Sequence, residues 1–134
     1  MTLIIWKNDY KVDVDSLDAD HITIFSLINH IDEAHQSGSD KHAIGQILKV
    51  LMERALAHFQ REEMFMKQSG YPDLQIHIEE HRKITEDLQS LYTAYQDSKS
   101  STVSRAIVRI LCSWLEEHIL ESDMRYKPYL SKSL

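Results

Sequence analysis

A chain of 134 residues, 43% of them hydrophobic, is long enough for one compact domain around one core. Its formal net charge of −6 disfavours nucleic acid and anionic membrane surfaces as partners, because both attract basic proteins. Three glycines and two prolines are too few for the many tight turns of an all-β protein. These features together favour a helical fold.

The chain carries no evident signal for export or membrane insertion. It lacks the run of about 18 apolar residues that a membrane-spanning helix needs. Residues 1–10 lack a basic segment followed by an apolar stretch, so they do not resemble a signal peptide. The single cysteine, Cys112, has no partner for an internal disulfide bond and suits a reducing compartment. We therefore expect a cytoplasmic protein, although the chain could be one domain of a longer one.

The first helix is predicted to follow an extended arm. Residues 1–14 contain Trp6 and β-prone side chains but no helical period, and so predict that arm. A helical period begins in the range 15–36. The candidate N-cap residues are Asp15, Ser16 and Asp18. The inward positions, spaced alternately four and three residues apart, are Leu17, His21, Ile24, Ile28, Ile31 and His35.

Two further helices are predicted over 41–68 and 72–97. Asp40 can cap the second helix, and Gly70 supplies the left-handed residue that ends it. The third helix opens at Pro72, since proline is tolerated in a first turn. Its inward positions are Leu74, His77, His81, Ile84, Leu88, Leu91 and Tyr95.

The fourth helix is predicted over 102–126, and Pro128 is expected to close it. Its inward positions are Ile107, Leu111, Trp114 and His118. Short turns between four long helices favour antiparallel neighbours. The predicted fold class is thus all-α, an up-down-up-down four-helix bundle with an N-terminal extended arm, forming a single domain over 1–134.

Every predicted helix carries at least one histidine among its apolar positions. A buried imidazole needs a partner for each ring nitrogen, and burying several without one is costly. One metal ion can bind several imidazoles at once. Any single core histidine would by default be a hydrogen-bonded packing residue, but this number points to a metal site.

The spacing of these histidines and nearby carboxylates supports a pair of metals. His58 and Glu62 are four residues apart, which places both on one helix face. His77 and His81 share that spacing. His118 and Asp123 are five apart, roughly 140° around an α-helix, which is too far for simple chelation of one ion. A carboxylate at that position is better placed to reach between two metals.

The predicted metal ligands are His21, His58, Glu62, His77, His81, His118 and Asp123. Nitrogen and oxygen ligands without thiolate suit Fe, Mn or Zn and disfavour a closed structural zinc site. If both carboxylates bridge, they make four bonds, the imidazoles make five, and a bridging oxo or hydroxo group makes two. Two octahedral metals have twelve positions, so one remains open, as reversible binding of a diatomic ligand requires.

These residues resemble the hemerythrin family, and most closely its bacterial members. The resemblance spans essentially the whole chain and fills all seven ligand positions in order. The matching residues are Trp6, Leu17 to His21, Ile24, Phe25, Leu27 to Asn29, His58, Phe59, Glu62, Glu63, Met66, Gly70, Tyr71, His77, His81, Trp114, His118, Ile119, Asp123 and Tyr126. Only the segment 13–16 departs, since it lacks the usual glycine.

The resemblance implies two irons that share a bridging oxo or hydroxo group. One iron, coordinatively full, would be held by His77, His81 and His118; the other, with the open place, by His21 and His58; the bridging carboxylates would be Glu62 and Asp123. The residues implied to line an apolar O2 pocket are Ile24, Phe59, Trp114, Leu115 and Ile119. The implied function is reversible O2 binding, for carriage, storage or delivery, rather than enzymatic catalysis.

Two other functions remain compatible with the same ligands. The chain could be an O2 or redox sensory domain, with a fused or separate signalling or oxidase partner. It could also be a di-iron enzyme acting on peroxide, NO or nitrite. A histidine-aspartate phosphohydrolase is a weaker alternative, because no histidine of the chain is followed directly by an aspartate.

Several nearby residues are predicted to have supporting or structural roles. His30 and His42 are expected to be solvated, and His35 to cap one end of the bundle. Glu63 points about 100° away from Glu62 and is expected at the surface or behind a ligand. Tyr126 could equally hydrogen-bond a ligand or only pack in the core.

Overall fold

The computed structural model describes residues 6–38, 41–97 and 102–133, and these are helical almost throughout. The helices are α1 (Asp15–Gln36), α2 (Lys41–Ser69), α3 (Leu74–Asp97), α4 (Thr102–Trp114) and α5 (Met124–Ser133). A π-helical segment, Leu115–Asp123, joins α4 to α5. No described residue forms a β-strand, and the predicted all-α class is confirmed.

The helices pack as a four-helix bundle in which α4, the π-helical segment and α5 form the fourth member. Helix α1 packs against α2 and α4, α2 also packs against α3 and α5, and α3 meets α4 more sparsely. Because the links between consecutive helices are short, neighbours run antiparallel. Within the described part of the chain, no helix is both long and apolar enough to cross a bilayer.

Buried polar side chains separate two apolar clusters inside the bundle. The larger cluster contains Ile24 and Phe59, and the smaller contains Leu17 and Met66. Along α1, Leu17 and Ile24 therefore lie on either side of His21. Along α2, Phe59 and Met66 flank Glu62 in the same way. The polar residues form a layer between the clusters, shielded from water by apolar side chains on both sides.

The start of α1 differs from the prediction. The residue before the helix is Val14, which makes no side-chain cap, so none of the three candidate N-cap residues acts as one. Asp18 is buried, and its carboxylate accepts a hydrogen bond from the backbone N–H of Val12 at 2.8 Å. Burial of Val12 and Val14 holds the arm on the bundle. The Asp18 carboxylate accepts a hydrogen bond from the backbone of the arm instead of capping the N-terminus of the helix. The arm also contains a 3-10 turn, Asn8–Tyr10.

The sequence predicts one terminating residue at each end of α2, and the structure describes only the C-terminal one. Gly70, at φ +71°, ends the helix in the left-handed conformation as predicted. The backbone N–H of Tyr71 donates to Met66 O at 3.1 Å, which satisfies a terminal carbonyl. The proposed cap at Asp40 lies outside the described residues.

Pro128 does not end the fourth helix, contrary to the prediction. It is an exposed residue inside α5, which continues to Ser133. On either side of it, Tyr126 and Leu130 are buried in the smaller apolar cluster. Burial of these two side chains offsets the local cost of the missing N–H, so tertiary packing overrides the helix-breaking tendency of proline.

Candidate metal centre

The seven predicted ligands lie together in the buried polar layer. The histidines come from four places: His21 from α1, His58 from α2, His77 and His81 from α3, and His118 from the π-helical segment. The carboxylates, Glu62 of α2 and Asp123, are fully buried. Of the other histidines, His30 and His42 are exposed and His35 is half-buried.

These side chains form two groups that share both carboxylates. The three-histidine group consists of His77, His81 and His118 with Glu62 and Asp123. The two-histidine group consists of His21 and His58 with the same carboxylates. Within each group, one ligand atom from every residue lies within 4.8 Å of the others.

Glu62 directs a different oxygen atom toward each group. Its Oε1 lies 2.8 Å from His81 Nε2 and 3.0 Å from His77 Nε2, both in the three-histidine group. Its Oε2 lies 2.8 Å from His58 Nε2 in the two-histidine group. One carboxylate therefore spans the two clusters of ring nitrogens.

Asp123 repeats this arrangement from the opposite side of the bundle. Its Oδ1 lies 2.9 Å from His77 Nε2 and 3.1 Å from His118 Nε2. Its Oδ2 lies 3.2 Å from His21 Nε2. Two carboxylates, each offering one oxygen to each side, have the geometry of ligands that bridge a pair of ions.

The π-helical segment explains how His118 and Asp123 meet. An α-helix would hold residues five apart on different faces. The i→i+5 hydrogen bonding of a π-helix instead stacks such residues above one another. This corrects the predicted separation of roughly 140°, and both side chains reach the same side of the site.

The donor atoms fit a metal site better than a hydrogen-bonded core. The Nε2 atoms of His21 and His58 face each other at 2.9 Å, and those of His81 and His118 at 3.0 Å. The buried Oδ2 of Asp123 lies 3.2 Å from His21 Nε2 but makes no hydrogen bond with any described residue. Converging imidazole nitrogens and a carboxylate oxygen left without a donor are what a cation would satisfy, and the all-N/O set suits Fe, Mn or Zn.

The electrostatic field of the site favours positive charge. Burial alone would lower the pKa of His58, but Glu62 and Asp20 outweigh it and raise that pKa to about 9. Against the same cost of burial, Asp123 and Glu62 raise the pKa of His77 to about 9 and that of His118 to about 10. The carboxylates thus hold protons on rings where a metal ion would replace them.

Comparison with known proteins gives the family. A family model described as "Hemerythrin HHE cation binding domain" matches residues 12–130. The chain belongs to the hemerythrin family. That description names cation binding.

Individual hemerythrins match over nearly the full chain. The bacteriohemerythrin of Methylococcus capsulatus is 31% identical over 98% of this chain and 99% of its own. That of Stenotrophomonas maltophilia is 26% identical over 94% of this chain and 80% of its own. A crystal structure of wild-type hemerythrin, 30% identical, superposes with a TM-score of 0.78 over 96% of this chain and 98% of the other.

In this chain, carboxylates also lie near the Nδ1 atoms of three of the site histidines. Asp20 lies 3.0 Å from His58 Nδ1, and Glu63 lies 3.0 Å from His81 Nδ1. Glu80 Oε2 lies 3.7 Å from the Nδ1 atom of the ring in the π-helical segment. Hydrogen-bonded partners such as Asp20 and Glu63 fix the tautomer and orientation of a metal-binding imidazole. Among the described residues, the more distant Glu80 Oε2 makes no hydrogen bond. Glu63 was predicted in this role or at the surface, whereas Asp20 and Glu80 were missed.

Tyr126 also contacts the site. Its hydroxyl donates a hydrogen bond to Glu62 Oε2 at 2.8 Å, so the structure decides between the two roles considered for it. The spacing of Tyr126 three residues after Asp123 was a usable signal, but the recipient is the carboxylate on another helix.

The residues predicted to line an O2 pocket lie in the larger apolar cluster where the structure describes them. Ile24, Phe59 and Ile119 are buried, and Trp114 is half-buried against the cluster. The Phe59 ring stacks on His81 with centroids 4.1 Å apart, which places it against the three-histidine group. The side chain of Leu115 lies outside the described residues.

Proposed function

We propose that this protein binds O2 reversibly at a non-haem di-iron centre, for carriage, storage or delivery. The proposed ligands are the three-histidine and two-histidine groups with their shared carboxylates. The observation that carries the proposal is the division of the Glu62 and Asp123 oxygen atoms between the two groups. A single ion would not need an acceptor from each carboxylate on each side.

The supply of ligands to the two irons is unequal. The three-histidine group offers three nitrogens and two oxygens, and the two-histidine group offers two of each. A bridging oxo or hydroxo group would bring these numbers to six and five. We place the open position for O2 at the two-histidine group, since octahedral iron there lacks one ligand. The iron pair would supply the electrons that O2 binding requires.

The chain's own residues would bind the irons and exclude water. Ile24 and Ile119, both buried, lie in the apolar cluster that borders the polar layer. An apolar wall keeps water and its protons from the bound ligand, which favours release of O2 over irreversible oxidation. The family description, cation binding, and the names of the bacteriohemerythrin relatives support this function.

The test is the optical spectrum of protein loaded anaerobically with ferrous iron. We expect an absorption band to appear on exposure to air and to disappear under argon, over repeated cycles. His21→Ala should lose the band, whereas His30→Ala, which changes an exposed histidine, should keep it. A band that never reverses would contradict the proposal.

Activity assays separate the competing functions. Multiple turnovers of peroxide, NO or nitrite per iron pair would favour a di-iron enzyme. A sensory domain would bind O2 reversibly but would also change the activity of a signalling or oxidase partner on oxygenation.

A further inference from the structure

An arginine at the bundle surface connects to the two-histidine group through one carboxylate. Arg61 Nε donates to Asp20 Oδ2 at 2.8 Å, and its Nη2 donates to Asp20 Oδ1 at 2.7 Å. The same Oδ2 lies 3.0 Å from His58 Nδ1. The chain of contacts crosses from α2 to α1 and back to α2, and its outer end is exposed, since the Arg61 side chain is 42% accessible.

The two groups differ in which residues contact the Nδ1 atoms of their histidine rings. In the three-histidine group, Glu63 and Glu80 approach two of the rings, and within the described chain neither carboxylate pairs with a lysine or arginine. Among the described residues of the two-histidine group only Asp20 does so, because the buried Nδ1 of His21 has no hydrogen-bond partner there. The orientation of this group therefore depends on one carboxylate.

The two hydrogen bonds that Arg61 donates restrict the Asp20 carboxylate to the plane of the guanidinium group. Two parallel N–H···O contacts between a guanidinium and a carboxylate determine both position and rotation, which a lysine cannot do. With Asp20 held in this way, His58 donates from Nδ1, and Nε2 is the nitrogen that a metal would bind once its proton is displaced. Release of Asp20 would leave the ring free to change tautomer or rotate.

We propose that Arg61 is a positioning residue for the two-histidine group, acting through Asp20 on His58, and that it sets the affinity of the second metal ion without binding it. The inference rests on the proposed dinuclear centre. It goes beyond that centre, because it assigns control of one metal to a residue outside the ligand set. The alternative is that Arg61 only links α1 to α2, in which case both metals would respond equally to its loss.

The test is an anaerobic titration of the metal-free protein with ferrous iron against a chromophoric chelator, which gives two stepwise affinities. We assign the weaker affinity to the two-histidine group and the tighter one to the three-histidine group. In Arg61→Gln we expect the weaker affinity to fall about 10-fold to 100-fold, with the tighter one unchanged. Arg61→Lys, which keeps the charge but not the fork, should fall between Arg61→Gln and wild type. The matched control is Arg82→Gln, because Arg82 also pairs with carboxylates but lies at the exposed surface.

Other outcomes are decisive as well. Asp20→Asn should reproduce the selective loss, and Glu63→Gln should weaken the tighter affinity instead. Equal loss of both affinities in Arg61→Gln, or no loss, would overturn the role assigned to Arg61. Wild-type protein that binds only one iron would overturn the proposed function itself, and that result is visible before any variant is made.

Discussion

The three-histidine and two-histidine groups use the same two carboxylates but hold their rings differently. Glu63 and Glu80 stand behind rings of the first group, and Phe59 stacks on one of them. In the second group, within the part of the chain that the structure describes, the Nδ1 of His21 has no partner and Asp20 is the residue that contacts His58 Nδ1. The group with more ligands also packs against Phe59, so the two metal positions are expected to differ in affinity as well as in coordination.

The largest expected effect is on iron content. Removing His21 leaves the three-histidine group complete, so His21→Ala should retain about one iron per chain. Removing His77, whose Nε2 contacts both carboxylates, leaves two histidines on each side and should reduce the content below one. Iron analysis after passage over a chelating column measures both, with the exposed His42→Ala as control. Equal retention by the two variants would contradict the inequality of the groups.

Removal of metal should lower the melting temperature by roughly 10 °C or more, because ligand a thousandfold above its Kd adds about 4 kcal/mol to the free energy of unfolding. Thermal melts of metal-free and iron-loaded protein provide the measurement. His21→Ala should keep only part of the gain. Identical melting temperatures with and without iron would mean that the site does not stabilise the bundle.

Iron loading should depend on pH with a predictable sign. The pKa values of His58 and His77 are raised to about 9 in the metal-free protein, so both rings carry protons at pH 7 that iron must displace. Affinity should therefore rise about tenfold per pH unit for each proton released, up to the raised pKa.

The stability of the metal-free protein should change with pH in the opposite direction. A raised histidine pKa stabilises the fold fully below the unfolded value of 6.5. That contribution is lost as the pH rises through about 9. Melting curves of metal-free and loaded protein should therefore diverge toward alkaline pH. A constant difference between pH 6 and 9 would contradict protonation of these rings.

A smaller effect should distinguish the apolar wall from the rest of the core. Ile24 and Ile31 are both buried residues of α1, but only Ile24 follows His21 by one turn. Each replacement by alanine should cost about 2–4 kcal/mol of stability. Only Ile24→Ala should speed autoxidation several-fold at normal iron content, as stopped-flow spectroscopy would measure. Equal rates in the two variants would place the O2 pocket elsewhere.

The smallest expected effect concerns Tyr126. Tyr126→Phe removes a hydrogen bond to the Glu62 carboxylate, which costs about 1.5–3 kcal/mol, and should weaken iron binding several-fold. Tyr95→Phe is the matched control, because its hydroxyl donates to the backbone oxygen of Lys41, far from the site, at 2.9 Å. Chemical denaturation and chelator competition measure the two consequences. Unchanged iron affinity in Tyr126→Phe would restrict this hydroxyl to a structural role.

The bundle and the convergence of seven polar side chains could be predicted from the sequence alone. Both depend on helical periodicity, which is a local property: His21 is in phase with Ile24 and Ile28 whatever surrounds them. Histidines at core positions indicate a metal because isolated buried imidazoles are costly in any tertiary structure.

Only the tertiary structure decided which residues form hydrogen bonds with the predicted metal ligands. The contacts of Asp20 with His58, and of Tyr126 with Glu62, join residues distant in the sequence. They depend on how far each helix is rotated about its axis, which periodicity leaves open. The sequence did not predict the π-helical segment that ends at Asp123. It also did not predict that the helix continues past Pro128, and the two omissions have a related reason. Local propensity opposes both, and the burial of Tyr126 and Leu130 stabilises the continuation only in the folded bundle.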